Sequence, residues 1–277
     1  MPWRRALADA FARWLRQQIE LGGSEVILSG STVESRGSQE APARHAAPGP
    51  LPAPGTGHPA RGGEAPRWRK DAPPIPGDGM SVEPPGWALG DDRVELESLD
   101  AVARVVAGCR RCALCEGRHR TVPGEGDPAA RLMLVGEGPG QTEDETGRPF
   151  VGAAGVLLDS ILLAIEIPRE RVFIANVVKC RPPKNRTPLP EEQEACLPYL
   201  HRQIDLVRPK VLMALGATAA AALLGTKKSL GELRGKVHRW AGIPLVATYH
   251  PAALLRNPNW KRPTWDDVRI ARQLLDR

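Results

Sequence analysis

No apolar run in the 277 residues is long enough to cross a bilayer as a helix, and the first residues lack a signal-peptide pattern. The expectation is a cytoplasmic protein with no membrane partner. There is no internal repeat. Cysteine is sparse, at five residues. In a cytosolic chain that number argues against a disulfide framework and for metal binding or catalysis.

Charge is present but unevenly placed. Residues 1–97 hold 11 Lys and Arg against 13 Asp and Glu, whereas residues 98–277 hold 27 against 19. The C-terminal part is therefore basic, which suits a polyanion such as nucleic acid as well as ordinary solubility. Residues 3–21, WRRALADAFARWLRQQIEL, place apolar groups at helical spacing and predict an amphipathic helix within a segment 1–28. The sequence does not fix its partner; docking on the chain itself fits at least as well as a membrane surface or another protein. Twenty-one of residues 41–90 are Pro or Gly. Such a stretch cannot bury enough surface to offset its ordering entropy, so residues 29–95 read as a disordered linker. Within it, Arg67, Trp68, Arg69 and Lys70 read as a solvated charge cluster. A chain beginning near Leu96 is then expected to fold and act by itself.

From residue 96 the pattern is that of an ordered domain, 96–277. Short apolar runs at 131–136, 171–178, 210–215 and 243–248 predict four strands. Helical segments are predicted at 98–107, 155–165, 191–207, 217–224 and 264–275, with a loop and a turn of helix over 250–257. Strands alternating with helices imply an α/β fold, a parallel sheet covered on both faces. Right-handed crossovers gather the carboxyl ends of the strands on one edge. That edge collects the GEGPG loop at 136–140, Asn176 and His250. The stretch 132–152, LMLVGEGPGQTEDETGRPFVG, runs from a buried strand into a loop with five glycines and clustered acids. Glycines there let a ligand lie close to the backbone.

Cys109 and Cys112 form a C-x2-C pair, and Cys180 and Cys196 follow from a distant segment. Four such cysteines can hold zinc or an iron–sulfur cluster, and spacing alone does not separate the two.

Taken together, Cys109-x2-Cys112, GEGPG…ED…GRPFVG, ANVVKCRPPKNR, Cys196 and YHPAALLRNP resemble the family 4 uracil-DNA glycosylases, the iron–sulfur members of the uracil-DNA glycosylase superfamily. The resemblance covers about residues 98–277. It implies a three-layer α/β/α fold around a four-stranded parallel sheet, and a [4Fe-4S] cluster on Cys109, Cys112, Cys180 and Cys196. Cys115 is not a ligand position in that pattern. The implied reaction hydrolyses the N-glycosidic bond of deoxyuridine in DNA, releasing uracil and leaving an abasic site. A monomer acting on uracil-containing DNA is expected, associated with the nucleoid through that DNA.

The bond lies inside the base stack, so the nucleotide must be flipped into a pocket. Phe150 is placed to stack on the base. Asn176 offers a donor and an acceptor that match uracil O4 and N3–H. His250 can hydrogen-bond O2, where negative charge develops. Leu254 and Leu255 are candidates for an apolar wedge, and Arg256 for a phosphate contact. Other glycosylases of the superfamily carry an Asp where this chain has Gly138, so Glu137 is the candidate for positioning the water. Glu143 resembles the element that keeps thymine out. Two other readings exist: a relative that captures uracil covalently, and a non-catalytic iron–sulfur DNA-binding protein. The capture proteins carry a basic insertion with a nucleophilic histidine, and CRPPKNRTPLP contains no His.

Overall fold

A computed structural model describes residues 66–83 and 96–277. The amphipathic helix expected over 1–28 and most of the expected linker lie outside the described residues. Seven strands form one sheet: β1 (Asp78–Val82), β2 (Glu125–Gly126), β3 (Leu132–Gly136), β4 (Val172–Asn176), β5 (Val211–Leu215), β6 (Val237–Trp240) and β7 (Ile243–Thr248). Their order is β1-β6-β7-β5-β3-β4-β2. The four central strands, β7, β5, β3 and β4, are mutually parallel. These are the four read from sequence. Strands β3, β4 and β5 are buried at every position, which explains their unbroken apolar runs.

The helices are α1 (Leu99–Gly108), α2 (Leu114–Gly117), α3 (Gln141–Thr146), α4 (Ala153–Ala164), α5 (Pro190–Val207), α6 (Ala217–Leu224), α7 (Leu230–Leu233), α8 (Pro251–Arg256) and α9 (Lys261–Asp276). Alternate strand residues feed two cores. Met133, Val135, Leu212 and Ala214 pack with α1, α5 and α6, whereas Leu132, Leu134, Val211 and Met213 pack with α4, α8 and α9. This is the three-layer α/β/α architecture. Among the described residues no helix is long and apolar enough to cross a membrane.

The chain runs from β3 outward to β4, then returns past β3 to β5 and β7. The strand order therefore reverses beside β3, and a crevice opens beyond the carboxyl ends of β3 and β5. Ser98 opens α1 by accepting from the Ala101 N–H at 3.1 Å, which fixes where the chain enters the domain.

The linker expectation fails over 66–83. Strand β1 pairs in parallel with β6, and the Met80 N–H donates to His238 Nδ1 at 2.9 Å. Gly79 has no room for a side chain, since a Cβ would stand 2.5 Å from that nitrogen. Trp68 is not in a solvated cluster. It is 1% exposed and packs against the Arg272 guanidinium, 4.8 Å from its ring centre. Arg269 donates to the main-chain oxygens of Lys70 and Asp71 at 3.1 and 2.9 Å, and Gln273 donates to that of Pro73 at 2.9 Å. Composition could not reveal this arm, because its order comes from pairing with β6 and α9. The melting temperature of a chain beginning at residue 66, which keeps this arm, is the reference. Removing residues 1–95 deletes a buried tryptophan, a loss of about 3 kcal/mol, and should lower it by roughly 5–10 °C. Thermal unfolding of the two truncated chains checks this; equal melting temperatures would show the arm to be dispensable.

Candidate active site

A cavity of about 450 Å³ occupies the crevice. Glu137, Gly138, Glu143, Phe150, Asn176, His250 and Arg256 all line it, drawn from the ends of β3, β4 and β7, and Thr218 joins them from the end of β5. Space at its floor is controlled by Gly136. A Cβ there would stand 2.4 Å from Asn176 Oδ1 and 2.6 Å from the Phe150 ring, so glycine lets those side chains converge. A Cβ at Gly138 would meet Val178 at 2.7 Å, so a longer side chain there would have to displace a core residue.

Asn176 is 1% exposed, and its Oδ1 has no hydrogen-bond partner. A buried, unpaired amide oxygen is costly in a folded protein unless a ligand completes it. Phe150 adopts a left-handed backbone, with φ at 51°, which is strained for an aromatic residue. Two devices hold it there. Arg169 donates to the Phe150 oxygen at 3.0 Å and to the Pro149 oxygen at 2.6 Å, while pairing with Glu125 and Asp159. The Glu143 carboxylate accepts from the Val151 and Gly152 N–H groups at 2.9 Å and from the Gly140 N–H at 3.1 Å. Glu143 thus ties both ends of the loop together. Asp144 is buried beneath, accepting from the His119 and Arg120 N–H groups.

The Phe150 and His250 rings stack with centres 5.3 Å apart. His250 Nδ1 accepts from the Ala252 N–H at 3.1 Å, which leaves the proton on Nε2 as a donor to the cavity. Close enclosure by protein pushes the His250 pKa down to about 4; the Arg256 charge acts the same way and Glu143 opposes. His250 is therefore neutral at pH 7. Its unfolded form takes a proton first as pH falls, so its contribution to stability is present above about 6.5 and is lost between there and about 4. The single-turnover rate is expected to show no break from this histidine between pH 8 and about 5; a break near 6.5 would contradict the assignment.

Glu137 accepts a short hydrogen bond from the Thr218 hydroxyl at the start of α6. Thr218 was not legible from sequence, and neither were Arg169, Asn185 or Arg186. The last two bring the proline-rich loop to the cavity wall. Leu254 is a correction. It is 1% exposed in the core with Phe150 and α4, so it anchors α8 and cannot enter a duplex. Leu255 is 51% exposed and carries the projecting apolar group.

All five cysteines are free and border one small cavity on the far side of β4's carboxyl end. Among the described residues no three or more Cys, His, Asp or Glu are arranged for a single metal ion. The sulfurs receive N–H and O–H donors: Arg118 on Cys180 at 3.1 Å, the Lys179 N–H on Cys196 at 3.3 Å, and Tyr199 on Cys109 at 3.5 Å. Such donors suit sulfur that carries negative charge, as cluster ligands do.

Residues 123–270 match the family model described as "Uracil DNA glycosylase superfamily". Type-4 uracil-DNA glycosylases are similar over most of their own length. The one from Thermotoga maritima is 45% identical over 183 residues, 65% of this chain and 95% of the relative. That from Sulfurisphaera tokodaii is 44% identical over 188 residues, 65% and 86%. That from Pyrobaculum aerophilum is 49% identical over 168 residues, 58% and 86%. The chain belongs to the type-4 uracil-DNA glycosylases. Within that family it is extended, because about a third of it lies outside the part aligned with the first two relatives.

Proposed function

We propose that this chain flips deoxyuridine out of DNA and hydrolyses its N-glycosidic bond, releasing uracil at the first step of base excision repair. The carrying observation is the orphaned Asn176 Oδ1 at the floor of a cavity capped by Phe150 and His250. Uracil completes that amide, which accepts from N3–H and donates to O4. Phe150 stacks on the base. His250, neutral with its proton on Nε2, donates to O2 and stabilises the negative charge left when the bond breaks. Glu137, steadied by Thr218, orients the attacking water and offsets the positive charge on the sugar. Leu255 fills the gap left in the stack, and Arg256 meets phosphate.

Cys109, Cys112, Cys180 and Cys196 would hold the [4Fe-4S] cluster, whose donor set the cavity supplies. Held there, a cluster would tie the segment before β2 to the loop after β4 and to α5, a structural role with no electron transfer in the hydrolysis. The catalytic domain spans residues 96–277, with 66–83 packed onto its edge.

Incubation with an oligonucleotide carrying one uracil, followed by alkali, tests the reading. Strand cleavage with turnover supports it; a covalent complex or simple retention contradicts it. Glu143→Gly is expected to admit the thymine methyl, because its side chain walls the cavity beside the loop. It also cuts three main-chain hydrogen bonds, each about 1 kcal/mol net, so uracil release should fall by up to roughly 100-fold but survive. Release of thymine opposite guanine is the readout, and unchanged rejection would place the wall elsewhere.

A further inference from the structure

The strand end that carries Asn176 runs directly into the cysteine cavity, and one residue spans the gap. Lys179 is 1% exposed. Its ammonium donates to the Asn176 main-chain oxygen at 2.9 Å and to Gln203 Oε1 at 2.6 Å. Gln203, on α5, donates onward to the Pro123 oxygen at 2.7 Å. The Lys179 backbone is engaged as well. Its N–H reaches Cys196 Sγ, and its oxygen accepts from the Val122 N–H at 2.8 Å. Between Asn176 and Lys179, the Val177 and Val178 N–H groups donate to the oxygens of Gly136 and Glu137 at 2.9 and 3.1 Å. Five consecutive residues, 176–180, thus fix the base-reading amide, the turn bearing Glu137 and a cysteine of the cavity.

A fully buried ammonium is expensive, and its two hydrogen-bond partners here, one main-chain and one side-chain oxygen, are neutral. An apolar residue would fill the same volume at less cost. What the ammonium adds is a fixed position for the Asn176 carbonyl at the point where the chain leaves the sheet.

We propose that Lys179, held by Gln203, is a positioning residue for uracil recognition: it locks the main chain of Asn176, and with it the amide, to the frame of the cysteine cavity. The proposal rests on reading Asn176 as the uracil-binding residue. It explains how loss of the cysteine frame would be felt in the pocket without contact between the two.

The test uses the full, cluster-loaded chain and the variants Lys179→Met, Gln203→Leu and Asn176→Ala. Affinity for free uracil is measured by calorimetry, and kcat and KM on uracil-containing DNA are measured beside visible absorption per chain. Lys179→Met is expected to weaken uracil binding at least about tenfold and raise KM in proportion, with kcat changed less than about threefold, the pattern of lost ground-state binding. Absorption should be unchanged. Gln203→Leu should shift affinity the same way by a smaller factor, and it serves alone where Lys179→Met does not fold. Unchanged uracil affinity in the folded variant, or a fall in kcat with KM constant, overturns the proposal. If Asn176→Ala also binds uracil normally, it is the base-reading assignment that has failed, and the positioning role falls with it.

Discussion

Asn176→Ala is expected to lower uracil excision by at least about 100-fold, with the fold and the cysteine cavity intact. The side chain is buried at the end of β4, and its oxygen has no partner within the protein. Removing it costs the folded protein little, because an unsatisfied acceptor disappears. The cost falls on the substrate. Uracil N3–H and O4 would be buried in the cavity without partners, a penalty of about 1–3 kcal/mol for each group. Two such groups correspond to roughly two or more orders of magnitude in rate. Circular dichroism and thermal unfolding should match the parent, while single-turnover excision collapses. Near-parental excision would show that discrimination resides in Phe150 and His250 instead.

Cys180→Ser is expected to have the larger effect on stability. Cys180 receives the Arg118 guanidinium and stands one residue beyond Lys179. Cluster binding is coupled to folding, so removing one ligand forfeits part of that free energy. Iron and sulfide content should fall by more than half, and the melting temperature should drop by more than about 10 °C, equivalent to several kcal/mol in a domain of this size. Cys115→Ser is the control and should retain its colour, iron and stability, although Cys115 borders the same cavity. A colourless parent containing zinc, or a Cys115 variant that loses its metal, would overturn the ligand assignment.

The central sheet was legible because β3, β4 and β5 are buried on both faces, and their apolar runs carry no ambiguity of period. The edge strands were not. β2 has two residues, β6 reads VHRW, and β1 lies among prolines and glycines; each exists because a neighbour pairs with it. The site followed the same division. Glu137, Asn176 and His250 stand out as polar residues at strand ends. Arg169, Lys179 and Thr218 do not, since Phe150, Gln203 and Glu137, to which they bond, lie on other segments of the chain. Leu254 and Leu255 were indistinguishable as letters. A helix turns about 100° per residue, so α8 sends one into the core and the other outward.

The decisive observation is which base leaves the DNA. Four duplexes, identical except for uracil, thymine, cytosine or adenine at one position, are incubated with a substoichiometric amount of the cluster-loaded chain, and the free bases are measured by mass spectrometry. The predicted result is uracil alone, in many equivalents per chain. Release of cytosine, or no free base from any duplex, would contradict it.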